Sequence, residues 1–290
     1  MSVITFTTDI GDNDFVIGAL KGLLLQKIAH ARFVDISLSI NRQNILQAGY
    51  ISGTAMHFYP ANSFHIILVD PFISKKFSTI LAYFKNQYII CPNNGLLNII
   101  CKNEPPTWVI ELPTFNNFSN FTLQFGAQCT YAILNVLHNK PPSVIGQAVT
   151  NLTTITPIVP YVGPNFIETQ ILHIDKFENV IVNITQTQFE DIIGTKKFTI
   201  AMRNVREITK ISNHVGEVPH GEPVAIFNMA GFLEIALNQG NAAGLFGLRT
   251  YNDASLKNNA NNTRINFQKV RIMYQVENAI NHINIKELVR

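Results

Sequence analysis

Seven polar side chains fall where apolar runs end: Asp9, Asp14, Asp70, Asn93, Asn94, Asp175 and Asn179. Carboxylates at such places can accept hydrogen bonds from ribose hydroxyls or hold a metal, and amides can read a purine edge. The first pair lies in Thr7-Thr8-Asp9-Ile10-Gly11-Asp12-Asn13-Asp14, between an apolar run and a helical pattern. Asp70 follows the run Ser63–Val69 and precedes Pro71. The same residue types also form turns before Gly or Pro and cap helices, and Asp12, Asn13 or Asp14 could serve only as such a cap. Residue type alone leaves both roles open.

Other chemistries find no support. The chain has no Ser-His-Asp, HExxH, CxxC or Walker pattern, and no GxG-type fingerprint for a dinucleotide. Cys91, Cys101 and Cys129 are odd in number and lack metal-ligand spacing, so they read as reduced, mostly buried thiols of a cytoplasmic protein. The expectation is therefore no metal and no cofactor. Only 14% of the 290 residues are charged and 47% are hydrophobic, which predicts a well-filled core and a buried oligomer interface. The net charge of +3 is scattered, without the basic stripe that nucleic acid or an anionic membrane would require. No basic-then-apolar leader opens the sequence, and no run of about 18 apolar residues predicts a membrane span.

The polar residues must be positioned by the elements around them. Val3, Ile4 and Phe6 predict a buried first strand, and Phe15–Leu25 a helix, which together begin a βαβ unit. Strands follow at Ala31–Ile36 and Ser63–Val69, with a helix over Ile45–Tyr59 between them. Thr79–Phe84 and Tyr88–Cys91 pair around the turn Lys85-Asn86-Gln87, Trp108–Leu112 is a further strand, and Gly126–His138 a helix. This alternation predicts an α/β domain over residues 1–152 with a mainly parallel, doubly wound sheet. Ligands of such sheets bind at the carboxyl ends of the strands, where Asp9, Asp14 and Asp70 lie. Residues 153–168, rich in Thr and Pro, read as a linker. Residues 169–290 then carry short strands at Thr169–Ile174, Val180–Ile184, Phe198–Met202, Val224–Asn228 and Val270–Gln275, which predict an all-β, barrel-like domain. One helical piece is expected in it, Gly231–Asn238.

Four stretches together carry a resemblance. They are TTDIGDNDFVIGALKG, IILVDP, the run from His173 to Ile184 containing Asp175, Phe177 and Asn179, and the run Val218–Ala243 containing Asn228-Met229-Ala230-Gly231 and Glu234. In this order they resemble the S-adenosylmethionine hydroxide adenosyltransferase family, related to the halide-using fluorinases and chlorinases, over nearly the whole chain. The resemblance implies an N-terminal α/β domain, a C-terminal β-barrel and a homotrimer. S-adenosylmethionine would be the substrate, bound between one subunit's N-domain and its neighbour's C-domain. Hydroxide or halide attacks its 5′ carbon, giving a 5′-substituted adenosine and methionine. By the same resemblance Asp9 holds the ribose hydroxyls with Asp14 nearby, and Asp175 meets the methionine ammonium. Phe177 packs on adenine, Asn179 reads its polar edge, and the Met229-Ala230 backbone holds adenine or carboxylate. The helix expected from Gly231 would suit an anion and would make Glu234 a dipole-favoured structural carboxylate.

The resemblance is incomplete around the attacking water. Hydroxide-using members carry an Asp, an Arg and a His there. Asp70 matches the Asp, but the following loop is one residue short and offers Lys75 and Lys76 in place of Arg. Lysine is a point charge without arginine's planar fork. The segment that carries the family His reads Phe121-Thr122-Leu123-Gln124-Phe125. The Gly of the IDxFGN pattern is Glu178. Two principal readings follow. One is an enzyme that hydrolyses S-adenosylmethionine using Asp70 with Lys75 or Lys76. The other is a catalytically impaired protein that binds S-adenosylmethionine or adenosine. A purely structural trimer with a decayed pocket is a third, against which Asp175 and Asn179 stand.

Overall fold

The computed structural model describes residues 2–71, 78–102, 104–115, 118, 120–155, 159–201, 207–247 and 269–275. Chain packing divides it into two compact units, Met1–Pro157 and Ile158–Arg290.

The first unit opens with β1 (Ser2–Thr8), α1 (Val16–Leu25), β2 (Ala31–Ser37), α2 (Ile45–Ala55) and β3 (Phe64–Leu68). It continues with β4 (Thr79–Phe84), β5 (Gln87–Pro92), α3 (Leu96–Cys101), β6 (Trp108–Glu111), α4 (Phe121–Leu137), α5 (Pro142–Ile145) and β7 (Gln147–Ala148). The strands form one sheet in the order β2-β1-β3-β5-β4-β6-β7. The sheet is mixed, not mainly parallel. β1 pairs with β2 and β3, and β3 with β5, in parallel, whereas β4 pairs with β5 and β6, and β6 with β7, antiparallel. The change of direction has a local cause. Lys85 and Asn86 join β4 to β5 with φ of 47° and 62°, and a two-residue loop with both φ positive is a tight hairpin turn.

Both faces of this sheet are covered. Ile66 and Leu68 pack in a cluster with Ile17, Leu20 and Leu24 of α1 and Phe125, Cys129 and Ile133 of α4. Ile67 and Val69 pack in another with Ala48 of α2 and Leu96, Leu97 and Ile100 of α3. Alternate residues of β3 face opposite sides, so a strand buried on both faces is apolar throughout. The helix expected from Gly126 begins earlier, at Phe121, because the Asn120 side chain caps it by accepting from the Thr122 and Leu123 N–H groups.

The second unit contains β8 (Tyr161–Val162), β9 (Phe166–Ile174), β10 (Val180–Thr185), α6 (Gln186–Ile193), β11 (Phe198–Ala201), β12 (Pro223–Phe227), β13 (Phe232–Leu237), α7 (Ala242–Leu245) and β14 (Lys269–Tyr274). Its sheet is antiparallel and curled, in the order β11-β14-β9-β10-β13-β12, with β8 added on β9. Single bridges from Ile208 to Ile200 and from Ile211 to Ala225 link the two edge strands. Val180, Val182, Ile184, Leu233, Ile235 and Ile272 fill its core.

The helix expected at Gly231–Asn238 is a strand. β13 pairs with β12 in register from Phe227↔Leu233 to Pro223↔Leu237. Asn228–Gly231 is the hairpin turn, closed by a bond from the Gly231 N–H to the Asn228 carbonyl, with Gly231 at φ 74°. That left-handed conformation suits glycine and starts a turn, not a helix. The anion site and the dipole role of Glu234 that rested on a helix therefore fall away.

Candidate functional site

Two groups of polar side chains are the candidates, one in each unit. In the first unit the carboxyl ends of β1, β2 and β3 lie side by side, with Thr8 opposite Leu68. The chain beyond β1 is laced to the loop after β2, through Ile40 N–H to the Thr8 carbonyl and Gly11 N–H to the Leu38 carbonyl. Asp9 sits in this lacing and accepts from the Gln43 N–H at 3.0 Å through Oδ2. Asp70 stands one strand away. Burial, and then the neighbouring Asp9 carboxylate, push its carboxyl above the ordinary Asp value. Two carboxylates at adjacent strand ends form a polar floor able to accept hydroxyl donors and a water.

Asp70 has φ of 44°, a left-handed backbone uncommon outside glycine. Asn94, buried at 1% exposure, holds that turn. Its Nδ2 donates to the carbonyls of Val69 at 2.9 Å and Asp70 at 3.0 Å, and its Oδ1 accepts from the Leu96 N–H. Asn93 does other work, bonding the Asn151 carbonyl and the Thr153 N–H. Asp14 is exposed and accepts from the Phe15 N–H beside it. Lys75 and Lys76, expected beside Asp70, lie outside the described residues.

In the second unit Asp175 and Asn179 bracket the β9–β10 turn. Asp175 Oδ1 accepts from the N–H groups of Phe177 and Asn179, both at 2.9 Å. The Asn179 amide nitrogen donates to Asp175 Oδ2 at 3.3 Å and to Glu234 Oε1 at 3.0 Å. Two carboxylates beside one amide dictate which way it points, because ionised carboxylates only accept. Both amide hydrogens are thereby occupied, and Oδ1 is left as the group Asn179 can offer a ligand. Burial raises the Glu234 carboxyl above its ordinary value; Asp175 adds to this, while bonds from Asn228 and Asn179 oppose it. Asn228 in turn organises the Met229-Ala230 turn, accepting from the Ala230 and Phe232 N–H groups at 3.0 and 3.1 Å. Phe177 and Met229 are 78% and 79% exposed, so both present apolar surface beside the polar network.

The expected residues Asp175, Asn179 and Glu234 thus form one hydrogen-bonded group, while Asp9 and Asp70 follow neighbouring strands without a bond between them. Asn228 and Gln43 were not anticipated as participants. Asn228 could have been found from its place three residues before a glycine at a strand end. Gln43 contributes a main-chain N–H, which no side-chain pattern discloses.

Comparison with known proteins covers both units. Residues 4–125 match the SAM hydroxide adenosyltransferase N-terminal domain and residues 169–254 the C-terminal domain of the same name. A protein of Methanocaldococcus jannaschii named (R)-S-adenosyl-L-methionine hydrolase is 26% identical over 86% of this chain and 93% of its own. One of the same name from Thermus thermophilus is 24% identical over 86% and 97%. Among solved structures, an uncharacterized conserved protein from Thermotoga maritima superposes with a TM-score of 0.77 at 19% identity, covering 93% of this chain and 99% of that one. These structural likenesses extend to the fold.

Proposed function

The chain belongs to the SAM hydroxide adenosyltransferase family, and on that premise we propose that it hydrolyses S-adenosylmethionine to adenosine and methionine. The observation that carries this reading is the agreement, over most of the chain, with relatives that bear the name of that hydrolase. A water oxygen bonds to the 5′ carbon as the carbon–sulfur bond breaks, and methionine leaves with the sulfur electron pair. The sulfonium is a good leaving group, so no acid and no cofactor are required. The work left to the protein is to align the water and exclude competing solvent.

On this reading Asp9 accepts from the ribose hydroxyls, with Asp14 at the rim. Asp70 accepts a hydrogen bond from the attacking water and takes up its proton, with Lys75 or Lys76 as a nearby cation. Asp175 meets the methionine ammonium, Phe177 packs on adenine, Asn179 reads its polar edge, and the Met229-Ala230 backbone holds adenine or carboxylate. Glu234 orients Asn179, which supports this group although it lies on a strand. The substrate would lie between the first unit of one copy and the second unit of the next, in a homotrimer. The low charged content, 14%, favours such an assembly. Light scattering giving a trimer at micromolar concentration supports it, and a monomer removes it.

The direct test is incubation of the purified protein with S-adenosylmethionine and chromatography of the products. Equimolar adenosine and methionine are expected, and Asp70→Asn should slow their release at least about tenfold, which is 1.4 kcal/mol of barrier. Wild-type protein that binds adenosine but releases none from S-adenosylmethionine would overturn the hydrolase reading.

A further inference from the structure

We propose that Asn94 is a positioning residue for the reaction, acting through Asp70; the inference rests on the role given to Asp70 above. β3 ends at Leu68, and beyond it the chain has left the sheet ladder. The carbonyls of Val69 and Asp70 would then face the interior without strand partners, and buried carbonyls demand partners. The Asn94 amide supplies both bonds, at 2.9 and 3.0 Å. They flank the one residue of this strand end held at positive φ, Asp70 at 44°. A non-glycine residue stays in that region only where its surroundings hold it there. A left-handed residue at a strand end also turns its side chain away from the direction the pleat would give it. The two carbonyl bonds therefore set where the Asp70 carboxylate points.

Asn94 is itself fixed from three sides. It is 1% exposed, its Oδ1 accepts from the Leu96 N–H at the start of α3, and the adjacent Asn93 is tied to Asn151 and Thr153. The side chain is placed at the carbonyl side of Asp70, so it needs no contact with substrate to act. Displacing a catalytic carboxylate slightly is enough to slow an in-line attack while leaving ground-state binding nearly intact.

The test is a double-mutant cycle on the intact protein, measuring kcat and KM for adenosine release from S-adenosylmethionine in wild type, Asn94→Ala, Asp70→Asn and the double variant. Thermal unfolding checks that each is folded, and Asn94→Ser, which keeps a small polar group, takes the place of Asn94→Ala if that variant does not fold. Asn94→Ala is expected to lower kcat about tenfold with KM changed less than about twofold, and to lower it no further once Asp70 is already Asn. A folded Asn94 variant with wild-type kcat, or the same tenfold loss in both backgrounds, overturns the inference while leaving the role of Asp70 intact. Asp70→Asn with wild-type kcat overturns the role of Asp70 instead, and that of Asn94 with it.

Discussion

The side-chain amide of Asn179 donates to Glu234 across 3.0 Å, joining the turn of one hairpin to a strand of the next. With its second hydrogen on Asp175, the amide can offer a ligand only its oxygen. An acceptor alone selects for a donor, so a 6-amino purine should be preferred to a 6-oxo purine. Calorimetry should find adenosine bound more tightly than inosine, and Asn179→Ala should weaken adenosine by about 1–3 kcal/mol while narrowing the difference. Equal affinity of wild type for both nucleosides would dissociate Asn179 from base recognition.

Glu178 offers a separate test on the same turn. It holds φ of 61°, where the family pattern carries glycine, and its carbonyl accepts from the Ala243 N–H. A left-handed conformation costs a non-glycine residue about 1–2 kcal/mol, partly offset by the greater unfolded-state entropy of glycine. Glu178→Gly should therefore raise stability by about 0.5–1 kcal/mol in thermal unfolding, without weakening adenosine. A lower melting temperature would mean that the Glu178 side chain contributes more than its backbone strain costs.

The legibility of this structure in its sequence follows burial. β3 is readable because a strand covered on both faces is a short, largely apolar run, and Asp70 just beyond it marks the sheet edge; β1 is readable from Val3, Ile4 and Phe6, although buried Thr5, Thr7 and Thr8 interrupt and follow them before Asp9. The same property misleads at Phe232–Leu237, where Phe232, Leu233, Ile235 and Ala236 are all buried. Apolar residues on both sides of a strand fall equally well on the spacing of a helix. Only the pairing with β12 distinguishes them. Helix α6 did carry a readable signal, the capping box of Thr185 and Gln188, which a search for strands passes over. The antiparallel pairing of β4 with β5 is legible in the turn at Lys85-Asn86, but the pairings of β4 with β6 and of β6 with β7 depend on which strands become neighbours, and short apolar runs do not encode that. The role of Asn94 is equally illegible, since an Asn before Gly95 reads as a turn former and its partners lie 24 and 25 residues away.

His65 makes stability depend on pH. It is 1% exposed, bonded to Thr5 Oγ1 at 2.8 Å through Nδ1, and set edge-on to Tyr59. Burial pushes its imidazole down to about 4 from 6.5. Its folded value lies below its unfolded one, so the unfolded chain binds the extra proton first. The stability this neutral ring supports is present above pH 6.5 and is lost as pH falls towards 4, by at most about 3 kcal/mol. Melting temperatures should fall through that window, and less steeply in His65→Gln. Identical slopes for the two proteins would place the acid sensitivity elsewhere.

Asp70 and Asp9 make a prediction about activity. The proposed water contact requires Asp70 ionised, and burial together with the Asp9 carboxylate raises its carboxyl above the ordinary value of 3.8. The acid limb of kcat should accordingly lie above that value, with activity rising as pH increases through it. Asp9→Asn keeps the shape of the side chain and removes its charge. It should move the acid limb of kcat downward at saturating substrate, because one of the two causes of the shift is gone, while KM rises as a ribose contact weakens. The limb should not return fully to 3.8, because burial is the larger cause and remains. The two parameters separate the roles: a change in KM alone, with the limb fixed, would mean that Asp9 binds ribose without raising the Asp70 carboxyl. An acid limb that persists unchanged in Asp70→Asn would assign the ionisation to another group.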